Sequence, residues 1–232
     1  MTTGEETAYG PDGDPYALAL LPGRAPVYLR LADGRRLRMP VHRWFASPTA
    51  ADRTVLECCA GPVLDVGCGP GRLCRELLNR GVFALGVDIA PRAVALTTAL
   101  GGLALCRSVF DRLPAESGWQ TVLLIDGNIG IGGDPRGLLR RCAGLVSSTG
   151  RLVVEVDRRD VEEFCTARIE DVHGNSGPPF PWARLGRRAL HGVAEDLDLD
   201  VTAQWTSGHR CFAALTHRAP AGTTGAAPRR ER

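Results

Sequence analysis

The sequence predicts an α/β protein built on a doubly wound, mostly parallel sheet, and three observations predict it. Short apolar runs alternate with amphipathic segments from residue 63 to residue 156, as in a parallel sheet covered by helices on both faces. The first run opens into Asp65-Val66-Gly67-Cys68-Gly69-Pro70-Gly71, a strand-to-helix turn whose missing side chains let a ligand reach the backbone. The second run ends on an acid, Asp88, 21 residues after Gly67.

Taken in order, residues 1 to 23 hold Glu5, Glu6, Asp12 and Asp14 with no arginine, and Tyr9 and Tyr16 among Gly and Pro; a loop-like acidic arm is expected. Val27 to Leu31 and Arg35 to Met39 alternate apolar and polar residues around Ala32-Asp33-Gly34, a β-hairpin pattern. Ser47-Pro48 supplies an N-cap and an N1 proline for a helix that runs to Cys59, before Gly61-Pro62. Strands are then expected at 63–66, 82–87, 103–107, 120–125 and 151–156, with helices at 71–79, 91–100 and 135–147. Pro181 to Leu197 reads as helical. Leu199 to Thr206 and Cys211 to Thr216 are too close for a crossover and form an antiparallel hairpin. The division is thus an arm and hairpin lid over 1–46, a core domain over 47–218, and a tail over 219–232 that is disordered by composition.

A chain of 232 residues with 44% hydrophobic and 23% charged residues suits one globular domain with added elements. The net charge of +2 with dispersed arginines offers no footprint for nucleic acid. All 28 basic residues are Arg, which excludes a Schiff-base or P-loop lysine. Eight cysteines without a C-x-x-C pair read as reduced small hydrophobes of a cytosolic protein rather than metal ligands. Neither a secretory leader nor an apolar run of membrane length is present, so the expectation is a cytoplasmic protein without a membrane partner.

The glycine turn reads as a cofactor loop or as an ordinary βα turn; a dinucleotide fingerprint fails because Arg72 occupies the place of its third glycine. Asp88 suits a ribose diol, the alternative being a cap for the helix that starts at Pro91. Ser108-Val109-Phe110-Asp111 offers an apolar face and an acid to an adenine, or a surface turn. The run Leu123-Leu124-Ile125-Asp126-Gly127-Asn128-Ile129-Gly130-Ile131-Gly132-Gly133-Asp134 brings an acid and an amide to the C-terminal mouth of a sheet, where ligands bind in open α/β folds.

These four elements resemble the successive cofactor motifs of class I S-adenosylmethionine (SAM)-dependent methyltransferases, over roughly residues 47 to 217. The resemblance implies a Rossmann-like seven-stranded sheet with an antiparallel C-terminal hairpin, and SAM as cofactor. It implies that Asp65, Gly67, Gly69 and Gly71 hold the methionine end of SAM and that Asp88 binds the ribose. It further implies that Ile89 and Phe110 flank the adenine, Asp111 meets its amino group, and Asp126 and Asn128 contact the methionine part. The loop after the fourth strand lacks the Asn/Asp-Pro-Pro-aromatic sequence of amino-group methylases, which disfavours a nucleic-acid base. Its glycine run looks like bacterial small-molecule enzymes of secondary metabolism such as antibiotic biosynthesis.

Beyond the cofactor, methyl transfer depends mostly on alignment and exclusion of water. Candidate lid and substrate walls are the arm from Tyr9 to Tyr16, His42-Arg43-Trp44-Phe45, and the insertion Asp171 to Trp182. His173 reads as a general base or an exposed loop histidine, and Asn175 and Ser176 as orienting groups or turn formers. Tyr16 and Asp12 of the arm offer a π face and a negative charge to a sulfonium. An arm of that kind also suits the ring-forming azetidine-2-carboxylate synthases of the same fold, which release methylthioadenosine by intramolecular 3-amino-3-carboxypropyl transfer.

Overall fold

The computed structural model describes residues 15–20 and 26–219. It opens with helix α1 (Pro15–Ala19), strands β1 (Tyr28–Leu31) and β2 (Arg36–Arg38), and helices α2 (Val41–Phe45) and α3 (Ala50–Glu57). The central run is β3 (Val63–Val66), α4 (Arg72–Asn79), β4 (Ala84–Asp88), α5 (Pro91–Ala99), β5 (Ala104–Cys106), β6 (Trp119–Leu124), α6 (Pro135–Leu145) and β7 (Val146–Val156). Strands β8 (Glu162–Glu170) and β9 (Phe180–Leu185), helix α7 (Arg187–Asp196), and strands β10 (Leu199–Ser207) and β11 (Arg210–His217) complete it.

Seven strands form one sheet in the order β10-β11-β7-β6-β3-β4-β5. Strands β7, β6, β3, β4 and β5 are parallel, and β11 runs antiparallel to β7 and to β10. Period-two alternation splits the apolar side chains between two cores. Leu64, Val66, Val122 and Leu124 pack with Leu138 and Leu139 of α6 on one face. Val63, Leu123 and Ile125 pack with Leu73 and Leu77 of α4 on the other. Each fully buried leucine contributes about 1.5–3 kcal/mol, which fixes the strand register and hence the loops at the strands' C-terminal ends.

A second sheet was not legible in the sequence. It has four antiparallel strands in the order β2-β1-β8-β9, so the expected hairpin is one half of a sheet completed by residues beyond position 160. Strand β8 reads Glu-Glu-Phe-Cys-Thr-Ala-Arg-Ile-Glu, and its alternation was obscured by Cys165 and Thr166. The helix expected from Pro181 begins only at Arg187. Phe180–Leu185 is an edge strand instead, where Pro181 removes no interior ladder bond. The helix before the first parallel strand is capped by Thr49 rather than Ser47: Thr49 Oγ1 accepts from Asp52 N, and the Asp52 carboxylate accepts from Thr49 N at 2.9 Å, a reciprocal capping box. Within the expected loop-like arm, Pro15–Ala19 is helical; Tyr9, Asp12 and Asp14 lie outside the described residues, as do positions 220–232 of the tail. Among the described residues no helix is long and apolar enough to cross a membrane.

Candidate functional site

A cavity of 1020 Å³ lies between the C-terminal ends of the parallel strands and the inner face of the second sheet. Its floor is the loops after β3, β4, β5 and β6; its roof includes Leu29, Leu37, Met39, Ile169, Phe180 and Trp182.

In the loop after β3, Gly67 (φ 69°), Gly69 (φ 55°) and Gly71 (φ 75°) adopt left-handed conformations that side chains disfavour. The Asn128 side-chain amide donates to Val66 O at 2.7 Å and Gly67 O at 2.9 Å, pinning the loop. A Cβ on Gly67 would lie 2.6 Å from that amide nitrogen, whereas above Gly69 the nearest group is the Tyr16 hydroxyl at 3.9 Å. Asp88 braces the same loop, accepting from Gly69 N through Oδ2 and from Ala90 N through Oδ1, both at 2.9 Å. Burial pushes its carboxyl up while these backbone donors hold it down. Ile89 and Phe110 lie on the wall, 59% and 49% exposed, apolar faces without a protein partner over much of their area.

Behind the loop lies a buried charge network. Asp52 Oδ1 accepts from Arg72 Nη2 at 2.7 Å and Arg210 Nη1 at 2.6 Å. Asp126 accepts from Arg72 Nη1 at 2.6 Å and Arg210 Nη2 at 3.0 Å, and Glu155 accepts from Arg210 at 2.7 and 2.6 Å. Arg43 of α2 approaches Asp126 Oδ1 at 3.4 Å. Three arginines thus offset three carboxylates, which buried charges require. The guanidinium groups of Arg72 and Arg210 hold Asp52 below the usual carboxylate range despite its burial. Asp65, buried and accepting from the Cys74 thiol at 3.6 Å, is pushed by burial up to about 7, with Arg72 opposing the rise. Asp126 itself is strained, with φ at 61°.

Of the residues singled out in the sequence, the fold brings Tyr16, Asp65, Gly67, Gly69, Asp88, Ile89, Phe110, Asp126 and Asn128 to the cavity wall. Gly71 caps α4 just behind it, where a Cβ would strike Thr97. The remaining candidates go elsewhere. Asp111 is exposed and turned back on Ser108 N at 3.2 Å. His173, Asn175 and Ser176 sit in the exposed connection between β8 and β9, off the wall. There Asp171 gathers His173 N, Asn175 N and the Asn175 amide at 2.8–2.9 Å and holds the turn. Asp12 falls outside the described residues.

Sequence reading missed Asp52, Glu155 and Arg210, and took Arg72 only as a departure from a fingerprint. Two signals were present, one of them the capping-box spacing Thr49-x-x-Asp52. Arg210, which opens an otherwise apolar strand, was the other.

Residues 63–150 match the family model described as "Methyltransferase domain". The ubiquinone biosynthesis O-methyltransferase of Bradyrhizobium diazoefficiens is 30% identical over 126 residues, 49% of this chain and 47% of that protein. The chain therefore spans about half the length of the curated relative it matches. A SAM-dependent methyltransferase of Bacteroides fragilis, solved in complex with S-adenosyl-L-homocysteine, superposes with a TM-score of 0.78 at 21% identity, covering 92% of this chain and 98% of its own. The 1,6-didemethyltoxoflavin-N1-methyltransferase of Burkholderia thailandensis, solved with 1,6-didemethyltoxoflavin and S-adenosylhomocysteine, gives 0.53 at 16% identity over 72% and 76%. Both share the fold. Residues 63–150 thus match a methyltransferase domain, and the chain as a whole has the fold of these SAM-dependent methyltransferases.

Proposed function

We propose that the cavity binds SAM and that the chain transfers its methyl group to a small-molecule acceptor of a bacterial biosynthetic pathway. The observation that carries this reading is the Gly69 cradle, open above and braced by Asp88 from the next strand.

The residues present fit the cofactor. The open backbone at Gly69 suits the methionine end, as the family motifs imply, and Asp88 has lone pairs left for a ribose diol after its two backbone bonds. Ile89 and Phe110 offer the two apolar faces that an adenine needs. When bound, SAM supplies an electrophilic methyl group on a sulfonium. Tyr16 and Trp44, in edge contact with ring centroids 6.0 Å apart, bring aromatic surface to the cavity, which favours a cation. Asp126 is held by Arg72 and Arg210 and acts as a positioning residue rather than a base; Asn128 does the same for the loop. The apolar roof keeps water from the reacting atoms, and alignment supplies most of the rate.

Incubation with SAM alone and with candidate acceptors, read by mass spectrometry, tests this. S-adenosylhomocysteine formed only with an acceptor supports methyl transfer. Methylthioadenosine with azetidine-2-carboxylate from SAM alone, above a no-enzyme control, replaces it with ring closure.

A further inference from the structure

The charge on the cavity wall does not match the cofactor. SAM carries a sulfonium, an ammonium and one carboxylate, a net positive charge near neutral pH. Yet the wall includes Arg38, Arg92, Arg107 and Arg158, all exposed, and none of the four makes an ion pair among the described residues. The wall's carboxylates are already engaged. Asp126 and Glu155 meet Arg210, Asp157 meets Arg184 at 2.6 Å, Asp88 accepts two backbone N–H groups, and Asp65 is buried. Among the described residues this positive charge has no carboxylate partner, and an anionic reactant would supply one.

Two of these arginines, Arg92 and Arg107, stand near the ends of β4 and β5, beside Ile89 and Phe110. Arg158 is on the opposite flank. It follows Asp157, whose grip on Arg184 ties it to roof strand β9. Its guanidinium lies 3.4 Å from His209 Nδ1, and His209 adjoins Arg210 of the charge network, which Arg43 also enters. The Nε of Arg43 is buried without a hydrogen-bond partner. Next to this basic flank the roof is apolar and aromatic, with Phe180 and Trp182 in edge contact at 6.0 Å.

Resting on the cofactor reading above, we propose that the acceptor is an organic anion. Its planar apolar body lies under Met39, Phe180 and Trp182, and its carboxylate docks on Arg158 and His209 with Arg43 alongside. The charged group fixes the orientation of the body.

The probes are 2-naphthoate and its uncharged isostere 2-naphthamide, titrated calorimetrically into protein saturated with S-adenosylhomocysteine. The expected result is naphthoate binding about tenfold or more tighter than naphthamide, as a charge-assisted contact implies. The preference should collapse in Arg158→Ala, invert in Arg158→Glu, and persist in Arg159→Ala, whose side chain is exposed and off the wall. Equal affinity for the two probes, or no binding of either while S-adenosylhomocysteine binds, overturns the proposal. A preference that survives in Arg158→Ala overturns the assignment to this flank. Failure of S-adenosylhomocysteine itself to bind removes the cofactor reading, and this proposal with it.

Discussion

Arg210 and Asp52, 158 residues apart in the chain, meet at 2.6 Å through Nη1 and Oδ1. The same carboxylate oxygen takes Arg72 Nη2 at 2.7 Å, while Oδ2 closes the cap of α3. One side chain therefore ties α3, α4 and β11 together behind the glycine loop.

Asp52→Ala leaves two buried guanidinium groups short of a partner and opens the α3 cap. Loss of one member of a buried ion pair costs about 3–5 kcal/mol, so chemical denaturation should show a fall of that size. A change below about 1 kcal/mol would mean that Asp126 and Glu155 alone satisfy Arg72 and Arg210. Because the native carboxyl of Asp52 is held below its unfolded value, its stabilisation is complete above about pH 4 and is lost on acidification below that.

Asp65 has the opposite sign. Its native carboxyl titrates at about 7 against about 4 when unfolded, so the folded state binds the proton more tightly. Its contribution is largest below about pH 4, declines as pH rises towards 7, and is level above that. Asn mimics the protonated acid. The Tm of Asp65→Asn minus that of the wild type should therefore grow from pH 5 to pH 8; a flat difference would contradict the assignment.

Gly67→Ala places a methyl 2.6 Å from the Asn128 amide and forces a left-handed alanine. The backbone alone costs about 1–2 kcal/mol. Calorimetry should find S-adenosylhomocysteine affinity lowered at least tenfold, and structure determination should find Asn128 displaced from Val66 O.

Asp88→Ala removes the acceptor for Gly69 N and Ala90 N. Stability should fall by about 1–3 kcal/mol per group left unsatisfied in the interior, and S-adenosylhomocysteine affinity should fall with it. Asp88→Asn keeps one acceptor and should lie between the two. Affinity equal to wild type in both variants would remove Asp88 from the cofactor site.

His173→Ala should leave turnover unchanged within about twofold, since His173 stands in an exposed turn built around Asp171. A large loss of kcat would require that connection to move onto the cavity.

The parallel sheet was legible because most of its strands are short apolar runs with a local boundary signal. Val63–Val66 ends in three glycines, Ala84–Asp88 runs into Pro91, and Pro135 follows a capping Asp134. Asp88, Asn128 and the glycines were legible with it, because they sit at those same boundaries. The second sheet was hidden because β1 and β8 pair across more than 130 residues, and β9 begins with a phenylalanine and a proline that also suit a helix entry.

By itself the sequence determined the order of strands and helices in the parallel sheet and the glycine loop after its first strand, since backbone conformation and apolar period are properties of neighbouring residues. Only the tertiary structure decided which charges meet. Asp52, Arg72, Asp126, Glu155 and Arg210 lie on separate elements, and burial makes their pairing obligatory without any local mark in the chain. The tertiary structure likewise turned His173, Asn175 and Ser176 away from the cavity and brought Arg158 to its edge.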